Sequence, residues 1–279
     1  MDLGQVRHSR GYQQLVRVGL VSFGVVHLLV AWIALNLALG RRGDASPNGA
    51  LKEVARQPLG EGLLWVMALG FFALTIWQLI EATVGRDDPN RAGKVKGRAR
   101  SAGRAAVYLA LGLLSIGVAV GSSSAQSGQG EETLTAKLMS LPFGQILVVA
   151  VGAAVLGVGI SQVVKGIRQT FVEDLERNVS QWVRRLGSVG YVCKGIALGI
   201  VGVLFGWAAI THDPEKAGGM DAALVTIKDQ PAGTVLLVVM AVGIACFGVY
   251  CFVWARFAAI RSQVDRPRAT LALPATNPS

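Results

Sequence analysis

The sequence predicts an all-α integral membrane protein with six transmembrane helices arranged as three tandem helix-hairpin repeats. Of its 279 residues, 52% are hydrophobic and only 16% are charged, whereas a soluble domain usually carries about 25% charged residues. Six stretches of at least 18 residues contain no Asp, Glu, Lys or Arg, and they cover residues 18–40, 62–80, 105–130, 138–164, 195–212 and 230–255. Each can cross the roughly 30 Å hydrocarbon layer as a helix. They are continuously apolar, unlike the alternating strands of a membrane β-barrel.

A Pro-x-Gly element that occurs three times divides the chain into repeats. The copies are Pro58-Leu59-Gly60, Pro142-Phe143-Gly144 and Pro231-Ala232-Gly233, spaced 84 and then 89 residues apart. A short amphipathic segment precedes each copy and an apolar stretch follows it. Each repeat therefore predicts a helix, a short outer helix, a corner and a return helix. We expect the prolines to end the outer helices and the glycines to let the backbone turn.

The repeats set the predicted boundaries of the units and their spans. We predict a cytoplasmic lead-in at residues 1–11 and a disordered cytoplasmic tail at residues 264–279. The first repeat covers residues 12–93 with spans 18–40 and 62–81, and the second covers residues 94–180 with spans 104–121 and 143–165. The third repeat covers residues 181–263 with spans 189–211 and 233–255. Because every repeat has two spans, all three share one orientation. Three similar hairpins suit closure around a pseudo-threefold axis, and a linear arrangement is the alternative.

Basic residues predict the orientation in the membrane. Both termini and the connections at 81–104 and 165–194 hold 20 of the 27 Lys and Arg residues, and the three other loops hold 7. By the positive-inside rule, the termini and these two connections are cytoplasmic. The net charge of +10 is thus mainly a topology signal, and it also favours contact with anionic lipid headgroups. Nucleic acid is not an expected partner, since no basic face carries interleaved aromatic residues.

Polar residues within the spans are the candidates for function. Aligning the odd helices places Phe23, Arg104 and Lys194 at equivalent positions and His27 at the position of Tyr108. In the return helices, Gln78-x-x-Glu81 is equivalent to Gln162-x-x-Lys165, and a spacing of three puts each pair on one helix face. All of these positions are predicted in the cytoplasmic third of the spans.

Two interpretations of these residues stay open. In the functional one, a polar vestibule opens to the cytoplasm and is formed by His27, Gln78, Glu81, Tyr108, Gln162 and Lys165, and a rim that attracts anions or lipid headgroups is formed by Arg104 and Lys194. In the structural one, the glutamines hydrogen-bond neighbouring helices, Glu81 pairs with a nearby base, and the basic residues mark the membrane interface. His27 suits a proton-linked switch or a neutral interhelical hydrogen bond equally well.

Enzymatic chemistry and bound metals are not expected. The chain contains no HExxH motif, no phosphate-binding glycine loop followed by Lys-Ser/Thr, and no Gly-x-Ser-x-Gly elbow. Cys193, Cys246 and Cys251 fall in or beside apolar spans and form no C-x-x-C pair, which favours small buried hydrophobic residues over a disulfide or a metal site. No cofactor is implied.

The repeat motif also resembles a known family. The pattern A-L-x-x-[VLI]-x-x-x-P-x-G, the return helix with Trp77-Gln78-Leu79-Ile80-Glu81-Ala82 and the Gly-rich partner helix resemble the bacterial membrane family "domain of unknown function 1206", over roughly residues 12–260. The resemblance implies three tandem two-helix units and a bacterial plasma membrane. It implies no activity and no site residues.

Two functions are compatible with this architecture. The first is a channel or transporter for a small solute or ion, with permeation past His27, Gln78 and Gln162. The second is a lipid-binding or scaffolding protein that organises envelope components through its outer helices and basic loops. The channel or transporter is the primary prediction, motivated by the three related hairpins and the polar layer. The lipid-binding or scaffolding protein is the alternative, motivated by the amphipathic outer helices and by the 35 glycines, because small residues allow helices to pack tightly.

Overall fold

The computed structural model describes residues 10–41, 43–84, 91–122, 135–137, 139–140, 143–175, 179–213, 216–217 and 219–257. Within these residues the helices are α1 (Arg10–Ala38), α2 (Pro47–Ala55), α3 (Gly60–Val84), α4 (Arg91–Ala119), α5 (Gly144–Arg168), α6 (Gln181–Thr211), α7 (Met220–Lys228) and α8 (Gly233–Phe257), with a 3₁₀ turn at Thr170–Asp174. Pro142, the tail 264–279 and most of the lead-in 1–11 lie outside the described residues.

The six long helices α1, α3, α4, α5, α6 and α8 are each long and apolar enough to cross a membrane. Every predicted span overlaps one of them, so the six-helix prediction is confirmed. Three helices begin well before their predicted spans, α1 at Arg10, α4 at Arg91 and α6 at Gln181. A helix satisfies its own backbone hydrogen bonds, so it can continue past the hydrocarbon layer into a basic, water-exposed stretch.

The Pro-x-Gly corners share one backbone conformation. The middle residue has a positive φ in all three copies: 66° at Leu59, 64° at Phe143 and 60° at Ala232. The Gly60 amide donates to the carbonyl of Gln57 (2.8 Å), and the Gly233 amide donates to that of Gln230 (2.7 Å). This is a four-residue turn with proline second and positive φ third, as in type II turns.

The glycines of the corners have a different role from the predicted one. The left-handed conformation falls on the residue before the glycine. Gly60 and Gly233 are buried at the first turn of α3 and α8, and an added Cβ would clash with the carbonyl oxygen of Val54 or of Lys228. Glycine is needed here because the outer helix and the return helix approach closely, while the middle residue makes the turn.

Short helices cap one end of the bundle, which we call the collar end. In α2, the Ser46 hydroxyl caps the helix by accepting from the Gly49 amide (3.1 Å), and Pro47 occupies the first helical position. The apolar sides of α2 and α7 face the bundle, and they bury Ala50, Leu51, Val54, Ala223, Leu224 and Ile227. The opposite end of the long helices, where Arg104, Lys165 and Lys194 lie, is the basic end.

The long helices are ordered around a ring with one contact missing. Going round, α3 packs on α4, α1 on α3, α8 on α1, α6 on α8, and α5 on α6. A closed threefold ring would also pair α4 with α5, the two helices of the second repeat, but the described residues show no extensive packing between them. Contacts between successive repeats are more extensive than contacts within a repeat. The structure therefore has five of the six contacts of pseudo-threefold closure.

Glycines mark the same contact in different repeats. An added Cβ at Gly159 of α5 would lie 2.7 Å from the carbonyl oxygen of Gly195 in α6, and one at Gly24 of α1 would lie 2.9 Å from that of Gly248 in α8. These two pairs occupy equivalent positions in the sequence alignment. Since helices meet at the same residues in each case, the three-dimensional packing follows the repeat register.

Candidate functional site

A lysine and two aromatic rings form the centre of the basic end. The Lys194 ammonium lies 4.0 Å from the centroid of the Phe247 ring and 4.5 Å from that of Phe23. These residues come from α6, α8 and α1. Lys194 is 17 residues before the end of α6 at Thr211, or about 26 Å along the helix from the collar end. The ammonium is held among apolar groups within the bundle.

Two further cations lie near this lysine. Arg104 of α4 and Lys165 of α5 are within electrostatic range of the Lys194 ammonium. Lys165 lies over the ring of Tyr191, 5.1 Å from its centroid. Both predicted rim residues, Arg104 and Lys194, therefore lie at the same end of the bundle as Lys165. Within the described part of the chain, no carboxylate lies within ion-pair distance of Lys194.

His27 is packed between the same rings. Its imidazole centroid is 4.3 Å from that of Phe23 and 4.8 Å from that of Phe247. Its Nδ1 is 2.7 Å from the carbonyl oxygen of Phe23, one helical turn earlier, so in the neutral tautomer that fits this contact Nδ1 donates. Tyr108 contacts the other side of the cluster, with its ring 5.4 Å from Phe23. His27 and Tyr108 are therefore brought together through Phe23.

The sequence analysis missed the aromatic packing of the third repeat. Phe171, from the 3₁₀ turn, stacks on Tyr191 at 5.1 Å and meets Tyr250 edge-on at 5.2 Å, and the Tyr250 hydroxyl donates to its carbonyl (3.4 Å). Phe247 connects this group to Phe23 and His27. Phe247, Tyr250 and Trp254 recur at spacings of three and four in the sequence, and this helical pattern could have indicated the cluster. We call Phe23, His27, Tyr108, Lys165, Phe171, Tyr191, Lys194, Phe247 and Tyr250, together with Arg104, the basic–aromatic cluster.

The other predicted vestibule residues are placed differently. Gln78 is only 2% exposed, and its Oε1 has no hydrogen-bond partner in the structure. Glu81, one turn further along α3, and Gln162 of α5 are half-buried. Their role in a vestibule stays a prediction.

The cysteines are free thiols. Cys193 and Cys251 are buried and Cys246 is half-buried. Among the described residues, no three His, Cys, Asp or Glu side chains are grouped so that they could hold a metal ion. The chemistry that the site offers is thus carried by cations and aromatic faces.

At the collar end, the inner face is apolar. Leu51 and Leu224 are fully buried below their short helices, beside Val54 and Ile227. A shallow open depression lies nearby on the outside of α5 and α6 and is lined by Gln145, Ile146, Val149, Ala209, Ile210 and His212. Within it, the Gln145 amide donates to the carbonyl of Ala209 (3.1 Å). The polar groups here hold α5 to α6.

The fold and the site define a multi-pass helical membrane protein that is built from three helix-hairpin repeats and carries a basic–aromatic cluster inside one end. The family model described as Domain of Unknown Function (DUF1206) matches residues 18–85, 99–169 and 189–258. The chain belongs to this family, which confirms the resemblance noted in the sequence. The comparison with curated proteins found a Bacillus subtilis (strain 168) relative named Uncharacterized protein YxxB, 28% identical over 242 residues, which are 84% of this chain and 86% of the relative. No solved structure gives a significant match.

Proposed function

We propose that this protein is a non-enzymatic, lipid-binding protein of the bacterial plasma membrane that holds an anionic lipid headgroup at its basic–aromatic cluster. In this proposal the basic end faces the cytoplasm, as the positive-inside rule predicts. The observation that carries the proposal is the position of Lys194, whose ammonium lies 4.0 Å from the Phe247 ring centroid and 4.5 Å from that of Phe23, at the end of the bundle where Arg104 and Lys165 are its charged neighbours.

The energetics of Lys194 favour a bound anion. Placing a charged side chain at the centre of a membrane helix costs about 2.5–3.5 kcal/mol on insertion scales, and this is an upper bound for Lys194, which lies nearer the cytoplasmic end of its helix. Each cation–π contact returns about 0.5–2 kcal/mol, so the rings of Phe23 and Phe247 offset much of this cost. Repulsion from the neighbouring cations adds to the cost again. A phosphate among the three cations would convert that repulsion into attraction.

A lipid fits this site better than a permeating solute. The interior of the bundle at the basic end is filled by aromatic rings in mutual contact, and the collar end is closed by buried leucines. A lipid headgroup can reach the cations from the inner leaflet, where anionic lipids are abundant. Permeation past His27, Gln78 and Gln162 stays a prediction, and it requires these apolar contacts to separate.

The proposal is tested by measuring which lipids the purified protein retains. Wild type would be reconstituted in phosphatidylcholine nanodiscs with and without phosphatidylglycerol, and bound lipid would be counted by native mass spectrometry after delipidation. The test variant carries Lys194→Gln and Arg104→Gln. The control carries Lys216→Gln and Lys228→Gln, which remove the same charge at the collar end.

We expect wild type and the control to retain phosphatidylglycerol in preference to phosphatidylcholine. Each cation near the membrane surface contributes about 1 kcal/mol toward an anionic lipid, so the test variant should lose roughly 30-fold in preference. Equal retention by all three proteins, or no preference in wild type, would contradict the proposal. Flux of protons, monovalent ions or small anions through wild type in proteoliposomes would instead support the channel.

A further inference from the structure

The second repeat differs from the other two in how its helices pack. In the first repeat, Gly19 of α1 meets Gly70 of α3, and an added Cβ on either would clash with the other helix. In the third repeat, Gly190 of α6 packs on the backbone of Phe247 in α8 at 2.6 Å from an added Cβ. The positions equivalent to Gly19 and Gly190 hold Arg100 in α4. Glycine lets two helices approach closely, and arginine at that position prevents it.

The residue on the partner helix at this contact also differs in the second repeat. The positions equivalent to Gly70 hold Gly243 in α8 and Ala154 in α5. Contacts of the second repeat with its two neighbours support this equivalence of positions. An added Cβ at Gly112 of α4 would be 3.4 Å from the ring of Phe72, and one at the equivalent Gly202 would be 2.6 Å from the backbone of the equivalent Leu156. Each helix of the second repeat therefore keeps the common register against the neighbouring repeat, while the two glycines that join the helices of the first repeat are replaced by Arg100 and Ala154.

Exposure shows that these faces are left uncovered. Three positions that pack inside the first and third repeats are at most 6% exposed there: Val26, Met67 and Leu74 in the first, and Ala197, Met240 and Phe247 in the third. Their equivalents in the second repeat are exposed by 52%, 39% and 50%: Val107, Val151 and Val158. The missing contact in the ring is thus an apolar lateral opening between α4 and α5.

Charge lies at the basic end of this opening. Arg104 is on α4, at the equivalent position to Phe23 and Lys194, and Lys165 is on α5. Lys194 is within electrostatic range of both. The opening is therefore apolar along its length and positive at one end. An anionic phospholipid has the same distribution, with apolar chains and a phosphate at one end.

We infer that the opening between α4 and α5 is the entry and binding groove for an anionic phospholipid, whose acyl chain lies on Val107, Val151 and Val158 and whose phosphate reaches the three cations. This inference rests on the proposed function and assigns the route and the acyl part of the ligand to the second repeat. Arg100 and Ala154, which stand where the other repeats have glycine, keep the groove open. The first and third repeats cannot bind lipid in this way because their helices are in contact.

The first test variant fills the groove without changing any charge. Val107→Trp with Val158→Trp places two large rings between α4 and α5. The matched control is Val235→Trp with Val239→Trp on α8, where both residues are also exposed, at 64% and 56%. A second test variant, Arg100→Gly with Ala154→Gly, restores the glycines of the other repeats, and Arg100→Gln is its control for the lost positive charge. The probe is phosphatidylglycerol, counted on the delipidated protein by native mass spectrometry.

We expect the tryptophan variant to retain about tenfold less phosphatidylglycerol than wild type, since losing about two buried CH₂ groups of an acyl chain accounts for that factor. The glycine variant should show the same direction, and the control should match wild type. Unchanged retention in both test variants would overturn the groove, while the loss in Lys194→Gln with Arg104→Gln would still support headgroup binding. A lipid-free wild-type dimer that the tryptophan variant converts to a monomer would also overturn it, in favour of a second copy.

Discussion

Close packing between α5 and α6 gives the most direct test of the helix arrangement. Gly159 of α5 is buried against α6, and an added Cβ would lie 2.7 Å from the Gly195 carbonyl oxygen, 2.7 Å from the Gly199 nitrogen and 3.0 Å from the Gly199 Cα. All three atoms belong to backbone, so no side-chain rotation relieves the contact. Gly157, two residues away on the same helix, has nothing within 4 Å of an added Cβ. The pair Gly159→Ala and Gly157→Ala separates packing from every other effect of the methyl group.

The magnitude follows from the geometry. Overpacking a tight contact by one methyl group typically costs about 1–3 kcal/mol, and separating the helices would also weaken their Cα–H···O contacts. Both substitutions gain the same helix propensity, up to about 1 kcal/mol for Gly→Ala. We therefore expect Gly159→Ala to be less stable than Gly157→Ala by about 1–3 kcal/mol, with Gly157→Ala equal to or slightly more stable than wild type.

The measurement is reversible unfolding by titration of SDS into mild detergent, followed by helix ellipticity. Gly159→Ala should shift the midpoint to lower SDS, while Gly157→Ala should leave it near that of wild type. Identical midpoints for the two variants would mean that α5 and α6 are not in backbone contact. In that case the ring order of the helices would lose its principal support.

Three further predictions concern the corners, the collar and the aromatic packing. Ala232→Gly should raise the free energy of unfolding by about 1 kcal/mol, because a left-handed conformation costs a non-glycine residue about that much. A lower SDS midpoint than that of wild type would contradict the turn geometry. Burial, with repulsion from Asp44, raises the pKa of Asp221 above its ordinary 3.8 despite the hydrogen bond from the Ala45 amide (2.7 Å). The folded state then holds this proton more tightly, so stability from this group is lost as pH rises through the raised pKa. Asp221→Asn, which keeps the acceptor, should be more stable than wild type at pH 7 and show a weaker pH dependence in thermal scans; a weaker fold at pH 7 would contradict this. Phe247→Leu should destabilise by about 1–3 kcal/mol through lost ring and cation contacts, whereas the exposed Val249→Leu should be neutral in the same SDS titration.

The sequence predicted the repeated architecture because it depends on properties that recur along the chain. Uncharged runs set the six long helices, and the Pro-x-Gly period set the three units. Partner choice among helices was less accessible, because it depends on which small residues face each other in space. Yet extending the alignment of Phe23, Arg104 and Lys194 by one turn reaches Gly19, Arg100 and Gly190, so the difference in the second repeat is visible in the sequence once the contact is known.

Parts of the candidate site were also accessible from the sequence. The alignment placed Arg104 and Lys194 at one depth, and the structure brings them together with Lys165. The rings around them could not be assigned, since Phe23, Tyr191 and Phe247 come from three helices whose neighbours were unknown. Phe171 lies in a connection outside the predicted spans. Its burial is a product of the 3₁₀ turn after Gln169, which has a φ of 55°.

The ring order has a consequence for how the chain is made. The most extensive contacts join successive repeats, and one of them pairs α1, the first long helix, with α8, the last. The two helices of a hairpin that leaves the ribosome are therefore not the pair with the most extensive packing in the finished protein. During synthesis from the N-terminus, α1 has to wait in the bilayer until nearly the whole chain has been inserted. Until then, α1 is held to α3 by the contact between Gly19 and Gly70. A chain truncated before Gly233 would leave the side of α1 that carries Gly24 open to other helices in the membrane.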